Sequence, residues 1–207
     1  MSDSKVQKVY AAKSAAEQEA AYDDWAENYE PDLCAMGYRM PAVIAAAFVR
    51  YVPADAGPIL DAGCGGGIAS EALATMGYGP MTGIDLSEGM LNVARKKNIY
   101  ADLQQATLGE QLPFPDNHFA AILSCGVITA GHAPAHTFEE LTRISQPGAP
   151  IIFTYRDHPP MPPEYPAMLN KLEADGVWKL ELQTPPFYSM PYGEPEVTTR
   201  VLVYRVC

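Results

Sequence analysis

The chain has 207 residues, 48% hydrophobic, with 25 acidic side chains against 14 Lys and Arg, a formal net charge of -11. That length suits one folding unit with a sizeable core. The acidic balance argues against a nucleic-acid binder, which leans on clustered Lys and Arg. No stretch approaches the ~18 apolar residues of a membrane span.

The N-terminal stretch MSDSKVQKVYAAKSAAEQEA has no apolar run of the signal-peptide kind. Cys34, Cys64, Cys125 and Cys207 are scattered and form no C-x-x-C pair, so no metal site or disulfide framework is expected. These features lead us to expect a reduced, cytoplasmic chain, monomeric or homodimeric, with no membrane or nucleic-acid partner.

In chain order, residues 5 to 30 read as a helix with Tyr22, Trp25 and Tyr29 on one face, broken at Pro31. A second helix is expected from Met40 to Tyr51. Residues 58 to 61 read as a buried strand that runs into a glycine-rich loop. IASEALATMG reads as a helix stopped at Gly77, and MTGID as a strand ending at Asp85. LSEGMLNVARKKN is a helix capped by Ser87, and its Arg95, Lys96 and Lys97 are expected on a solvated face. A thin strand is expected at 101 to 106, a loop at LPFPDNHF and a clear strand at AAILSCGV. A helix follows at HTFEELTRISQ, a strand at APIIFTYRD, a helix at MLNKLEADGVW and a final strand at VTTRVLVYRV. Alternating strand and helix means a Rossmann-like α/β fold: a doubly wound, mostly parallel sheet with helices on both faces. We divide it into an N-terminal helical cap or lid at 1–53 and a main unit at 54–207.

The glycine loop lies at the carboxyl end of the first strand, where such sheets hold their ligands. Gly63, Gly65, Gly66 and Gly67 keep side chains out of a ligand's way. The dinucleotide pattern G-x-G-x-x-G fails at Ile68, and no Gly-Lys-Ser/Thr of a P-loop follows. Asp61, directly before the loop, would repel a pyrophosphate and attract a cation. S-adenosylmethionine, which carries an ammonium, a sulfonium and a carboxylate, satisfies both the acid and the glycines. Asp85, 20 residues after Gly65, is placed to accept ribose hydroxyls, as it would be in an NAD enzyme.

LDAGCGGG, GIDLSEGMLNVAR, LPFPDNHFAAILS and LTRISQPGAPIIF, in that order, resemble a class I S-adenosylmethionine-dependent methyltransferase over roughly residues 22 to 155. YDDWAENYE, TLGEQLPF, VITAGHAP and LNKLEADGVW are similar to the methyltransferase-like proteins of the Williams–Beuren syndrome chromosome region. The resemblance implies that Asp61, Ala62, Gly63, Cys64 and Gly65 cradle the methionine end of the cofactor. It implies that Asp85 holds the ribose and that Leu86 and Met90 flank the adenine. Ser124 and Cys125 match positions facing the methionine part, and Tyr22, Trp25 and Tyr29 match a lid. Relatives often carry Gly-Asp before the LPF motif. This chain has Thr107-Leu108, which leaves the backbone of Leu108 and Gly109 for the adenine.

The implied activity is methyl transfer to a small-molecule acceptor. The alternatives are a non-catalytic S-adenosylmethionine-binding protein and an NAD-dependent oxidoreductase. His132 is the candidate base, weighed against a loop histidine that only caps backbone. His132, Tyr155 and Arg156 are candidate substrate contacts, and Arg156 is weighed against a surface ion pair. Cys64 reads as a packing residue rather than a nucleophile. The aromatic residues of 159 to 195 either wall the acceptor pocket or fill the core.

Overall fold

Runs of continuously buried residues, such as 59–62 and 121–124, build a sheet covered on both faces. The computed structural model describes residues 5–12 and 14–207; residues 1–4 and 13, within the expected cap, lie outside the described residues. Strands β1 (Ile59–Ala62), β2 (Met81–Asp85), β3 (Asp102–Gln105), β4 (Ala121–Ser124) and β5 (Pro150–His158) run parallel. The later strands are β6 (Trp178–Gln183), β7 (Phe187–Tyr188) and β8 (Thr198–Val206). The spatial order is β3-β2-β1-β4-β5-β8-β6, with β7 paired to β8. β8 is antiparallel to β5, β6 and β7.

On β1, Leu60 and Ala62 join one core cluster and Ile59 the other. The first cluster takes Phe138, Leu141 and Ile144 of α6 (Thr137–Ile144) and Leu169 and Leu172 of α7 (Glu164–Ala174). The second takes Ile44 and Phe48 of α3 (Met40–Tyr51) and Leu73 of α4 (Ser70–Thr75). So α3, which we grouped with the cap, packs on the sheet. A third cluster gathers Val6 and Val9 of α1 (Lys5–Ala11), Trp25 and Leu33 of α2 (Ala15–Ala35), and Met190.

Three expectations need correcting. The N-terminal helix is two helices, because Ser14 caps α2 by accepting from Glu17 N at 3.2 Å. Pro31 does not end α2, which runs on to Ala35. The helix is held across the proline by Trp25 Nε1, which donates to Asp32 Oδ2 at 2.7 Å, and by burial of Leu33. The helix expected at 168–178 lies at 164–174, and Trp178 opens β6. Gly176, at φ +70°, turns the chain between them.

Candidate active site

The sheet reverses its winding between β1 and β4, and the loops leaving those strands part to make room there. A cavity of about 470 Å³ fills the gap. The glycine loop and Asp61 form its floor, and Asp85, Leu86 and Met90 one side. Ala106, Thr107, Leu108 and Gly109 close the far end. Cys125, Gly126, Val127 and the 131–134 stretch form the opposite side, and Gln18, Tyr22, Tyr29 and Tyr38 cover it.

Gly63 has φ +78°, and a Cβ there would lie 2.4 Å from Val127 Cγ2. Both facts require glycine. Asp85 sets the loop's shape: its Oδ2 accepts from Gly65 N at 2.8 Å and its Oδ1 from Ser87 N at 2.9 Å. Burial raises the Asp85 carboxyl's pKa, and these backbone donors work against the rise. Ser87 also caps α5 (Glu88–Lys97) through Met90 N at 3.0 Å.

Asp61 is 1% exposed. Its Oδ2 accepts from Ser70 Oγ at 2.5 Å and from Tyr100 Oη at 2.7 Å. Its Oδ1 is buried with no hydrogen-bond partner among the described residues. Burial pushes the carboxyl up to about 6, against the pull of Ser70 and Tyr100. An ionised carboxylate with one bare oxygen on a cavity floor is a receptor for a cation.

The cover is fastened on two rims. On one, Asp23 Oδ1 of α2 accepts from Gly89 N at 2.8 Å and Ser87 Oγ at 2.5 Å. Lys96 meets Glu27 at 2.7 Å, and Lys97 meets Glu30 at 2.8 Å and Glu71 at 2.9 Å. Arg95 and Lys96 lie on the solvated face as expected, with side chains 43% and 64% exposed, while Lys97 is only 16% exposed. Lys96 and Lys97 tie α5 to α2, and Lys97 reaches α4 as well. On the other rim, Gln18 Nε2 donates to Gly131 O at 2.8 Å, and Tyr22 Oη shares a 2.8 Å hydrogen bond with His132 Nε2. Burial lowers His132 to about 4, so its ring is neutral at physiological pH.

The Methyltransferase domain family matches residues 60–153. Human (Homo sapiens) Methyltransferase-like protein 27 is 32% identical over 167 residues, 76% of this chain and 66% of that protein. A Ubiquinone biosynthesis O-methyltransferase of Hahella chejuensis is 31% identical over 100 residues, 46% of this chain and 42% of that one. This chain thus spans about two thirds of the first relative and under half of the second. A Thermotoga maritima crystal structure described as a SAM-dependent methyltransferase, possible histamine N-methyltransferase, superposes with a TM-score of 0.66. The overlay covers 90% of this chain and 98% of that one at 17% identity, a likeness of fold.

The chain belongs to the class I S-adenosylmethionine-dependent methyltransferases.

Against the methyltransferase site expected from the sequence, the cavity brings together Tyr22, Tyr29, Asp61, Gly63, Cys64, Gly65, Asp85, Leu86, Met90, Leu108, Gly109, Cys125 and His132. Trp25 is turned away into the third cluster. Ala62 and Ser124 lie beneath the floor, joined by Ser124 Oγ donating to Ala62 O at 2.8 Å. Tyr155 and Arg156 do not line the cavity. Nor do the aromatic residues of 159–195: Tyr165 and Trp178 fill the core, and Tyr188 and Tyr192 are exposed.

Sequence reasoning missed Gln18, Tyr38 and the pair that seats Asp61, Ser70 and Tyr100. Gln18 and Tyr38 carry no local motif. Tyr100 arrives from 39 residues away through the α5–β3 turn, so only the folded sheet brings it to Asp61.

Proposed function

We propose that this chain transfers a methyl group from S-adenosylmethionine to a small-molecule acceptor. The observation that carries the reading is Asp61, a buried carboxylate with a bare oxygen on the floor of a glycine-lined cavity. When bound, S-adenosylmethionine supplies a methyl carbon already activated by its sulfonium. Asp61 and the backbone of Gly63 to Gly65 would hold its charged methionine end. Asp85, with one backbone donor on each oxygen, keeps lone pairs for the ribose hydroxyls. Leu86, Met90, Ala106 and Leu108 offer an apolar slot to the adenine.

The chain's own task is alignment and exclusion of water. Tyr22, Tyr29, Tyr38 and His132 face the remaining space. Aromatic walls with a few polar tips suit a small molecule. The formal charge of -11 favours such an acceptor over a nucleic acid. His132 Nε2, paired with Tyr22, is the proposed proton acceptor for an acceptor nucleophile that still carries a proton. All four cysteines are free, in keeping with a reducing, cytoplasmic setting.

Calorimetric titration with S-adenosylmethionine, S-adenosylhomocysteine and NAD tests the reading. Micromolar affinity (about -8 kcal/mol) for the first two, lost in Asp85→Ala, is expected. Binding of NAD alone would overturn it.

A further inference from the structure

Arg156 stands at the carboxyl end of β5, opposite Thr199, where the ladder shifts register before His158. It is partly buried, and its Nε is shut off from solvent with no hydrogen-bond partner among the described residues. A guanidinium has five N–H donors, no acceptor and a permanent charge. A buried donor left unmade is costly.

The other partly buried arginines each hold carboxylates. Arg143 takes Glu140 and Asp116, Arg200 takes Asp157, and Arg205 takes Glu181. Asp157, next to Arg156 in the chain, is thus already engaged at 2.5 Å by Arg200. Among the described residues no acid pairs with Arg156, in a chain where acids outnumber bases 25 to 14.

Arg156 does not line the cavity itself, but its neighbours pack against the loop that does. Its charge bears on His132, Tyr155 and Tyr165, and in each it opposes protonation or favours the anion. Tyr165 Oη donates to Ala133 O at 3.0 Å, and Ala133 and His132 line the cavity. Thr154, two residues earlier on β5, accepts from Gly126 N at 2.6 Å, and Gly126 lines it too. These two hydrogen bonds join β5 and α7, the neighbours of Arg156, to the loop that walls the cavity. At Gly131 of that loop an added Cβ would meet nothing within 4 Å.

We propose that Arg156 is the oxyanion-binding residue of the acceptor subsite, so that the acceptor is a small molecule bearing a carboxylate or phosphate. This rests on the methyl-transfer reading. The anionic group would pair with Arg156 at the rim while the nucleophile lies inside, past His132.

The test follows the arginine Nε–Hε resonances of ¹⁵N-labelled protein, with Arg156 assigned by its loss in Arg156→Met. Sodium benzoate, phenyl phosphate and benzyl alcohol are titrated, with and without saturating S-adenosylhomocysteine. The Arg156 resonance is expected to move with benzoate or phenyl phosphate at least about tenfold more tightly than with benzyl alcohol. The better anion tells carboxylate from phosphate. Arg156→Met, which keeps the aliphatic stem, is expected to bind S-adenosylhomocysteine within about twofold of wild type and to melt no lower. Equal response to the anions and the alcohol would overturn the proposal. So would a large fall in Tm in Arg156→Met, which would make the arginine structural. Failure of S-adenosylhomocysteine to bind sinks the methyl-transfer reading, while the titrations without it still decide Arg156.

Discussion

Asp61 works against the protein's own stability. Its carboxyl is raised to about 6 in the fold, from 3.8. The native state therefore holds a proton that the unfolded chain releases between pH 4 and 6. Through that window stability falls as pH rises, by about 3 kcal/mol at ~1.4 kcal/mol per pK unit. Asp61→Asn removes the penalty and keeps an acceptor for Ser70 and Tyr100. Without ligand, its Tm at pH 7.5 is expected to exceed wild type by several degrees, checked by calorimetric scanning. The same variant is expected to lose about tenfold or more in S-adenosylmethionine affinity. In the wild type, that affinity should weaken below pH 6 as Asp61 protonates. The place of this residue on the cavity floor was legible from its position before the glycines. Its partners were not, since a sequence does not say which distant hydroxyl will arrive. Gly63 is the complementary case: a residue read as glycine for a ligand's sake, which the fold needs against Val127.

The elements show where local rules give way. Pro31 should stop a helix, but Trp25–Asp32 and Leu33 hold the turns on either side of it. Tertiary packing outweighs a local cost of ~3 kcal/mol. The strand β6 was hidden because Trp178 follows a helical pattern. Asp175-Gly176 was the available sign that the helix had ended. Part of the fastening of α2 lay hidden in plain charge: Lys97 read as solvated surface together with Arg95 and Lys96. Exposed ion pairs contribute little, roughly 0–1 kcal/mol. Lys97 and Glu30 differ, with side chains only 16% and 23% exposed. Lys97→Met is expected to lower Tm by only a few degrees. Hydrogen exchange in α2 should accelerate, and cofactor affinity should fall several-fold. Unchanged exchange in α2 would mean that the lysine does not hold the helix.

Across the whole molecule, alternation of strand and helix was enough to read a doubly wound sheet and to put the site at its switch point. What it could not give was the destination of residues 159–195. Their aromatic side chains suit either a pocket wall or a core, and composition does not separate the two. Trp178 decides for the core, stacked on Tyr204 with ring centroids 4.2 Å apart and packed beside Phe138 and Phe153. Trp178→Ala is expected to cost ~3–5 kcal/mol, read from denaturant melts, with no selective loss of cofactor affinity in the remaining folded protein. Loss of binding without loss of stability would return this segment to the site.

The two rims that hold α2 set the pace of exchange as well as the shape of the cavity. A ligand lodged beneath the helix departs when bonds on at least one rim let go. The β2–α5 rim is largely ionic, while the β4–α6 rim is made of neutral hydrogen bonds. Salt weakens the first and spares the second, and it hardly reaches the buried charge of Asp61. Residence time, more than the strength of the cofactor's innermost contacts, becomes the quantity that ionic strength controls. Stopped-flow release of S-adenosylhomocysteine should therefore quicken between about 0.02 M and 0.5 M NaCl. In Lys97→Met, that dependence should flatten.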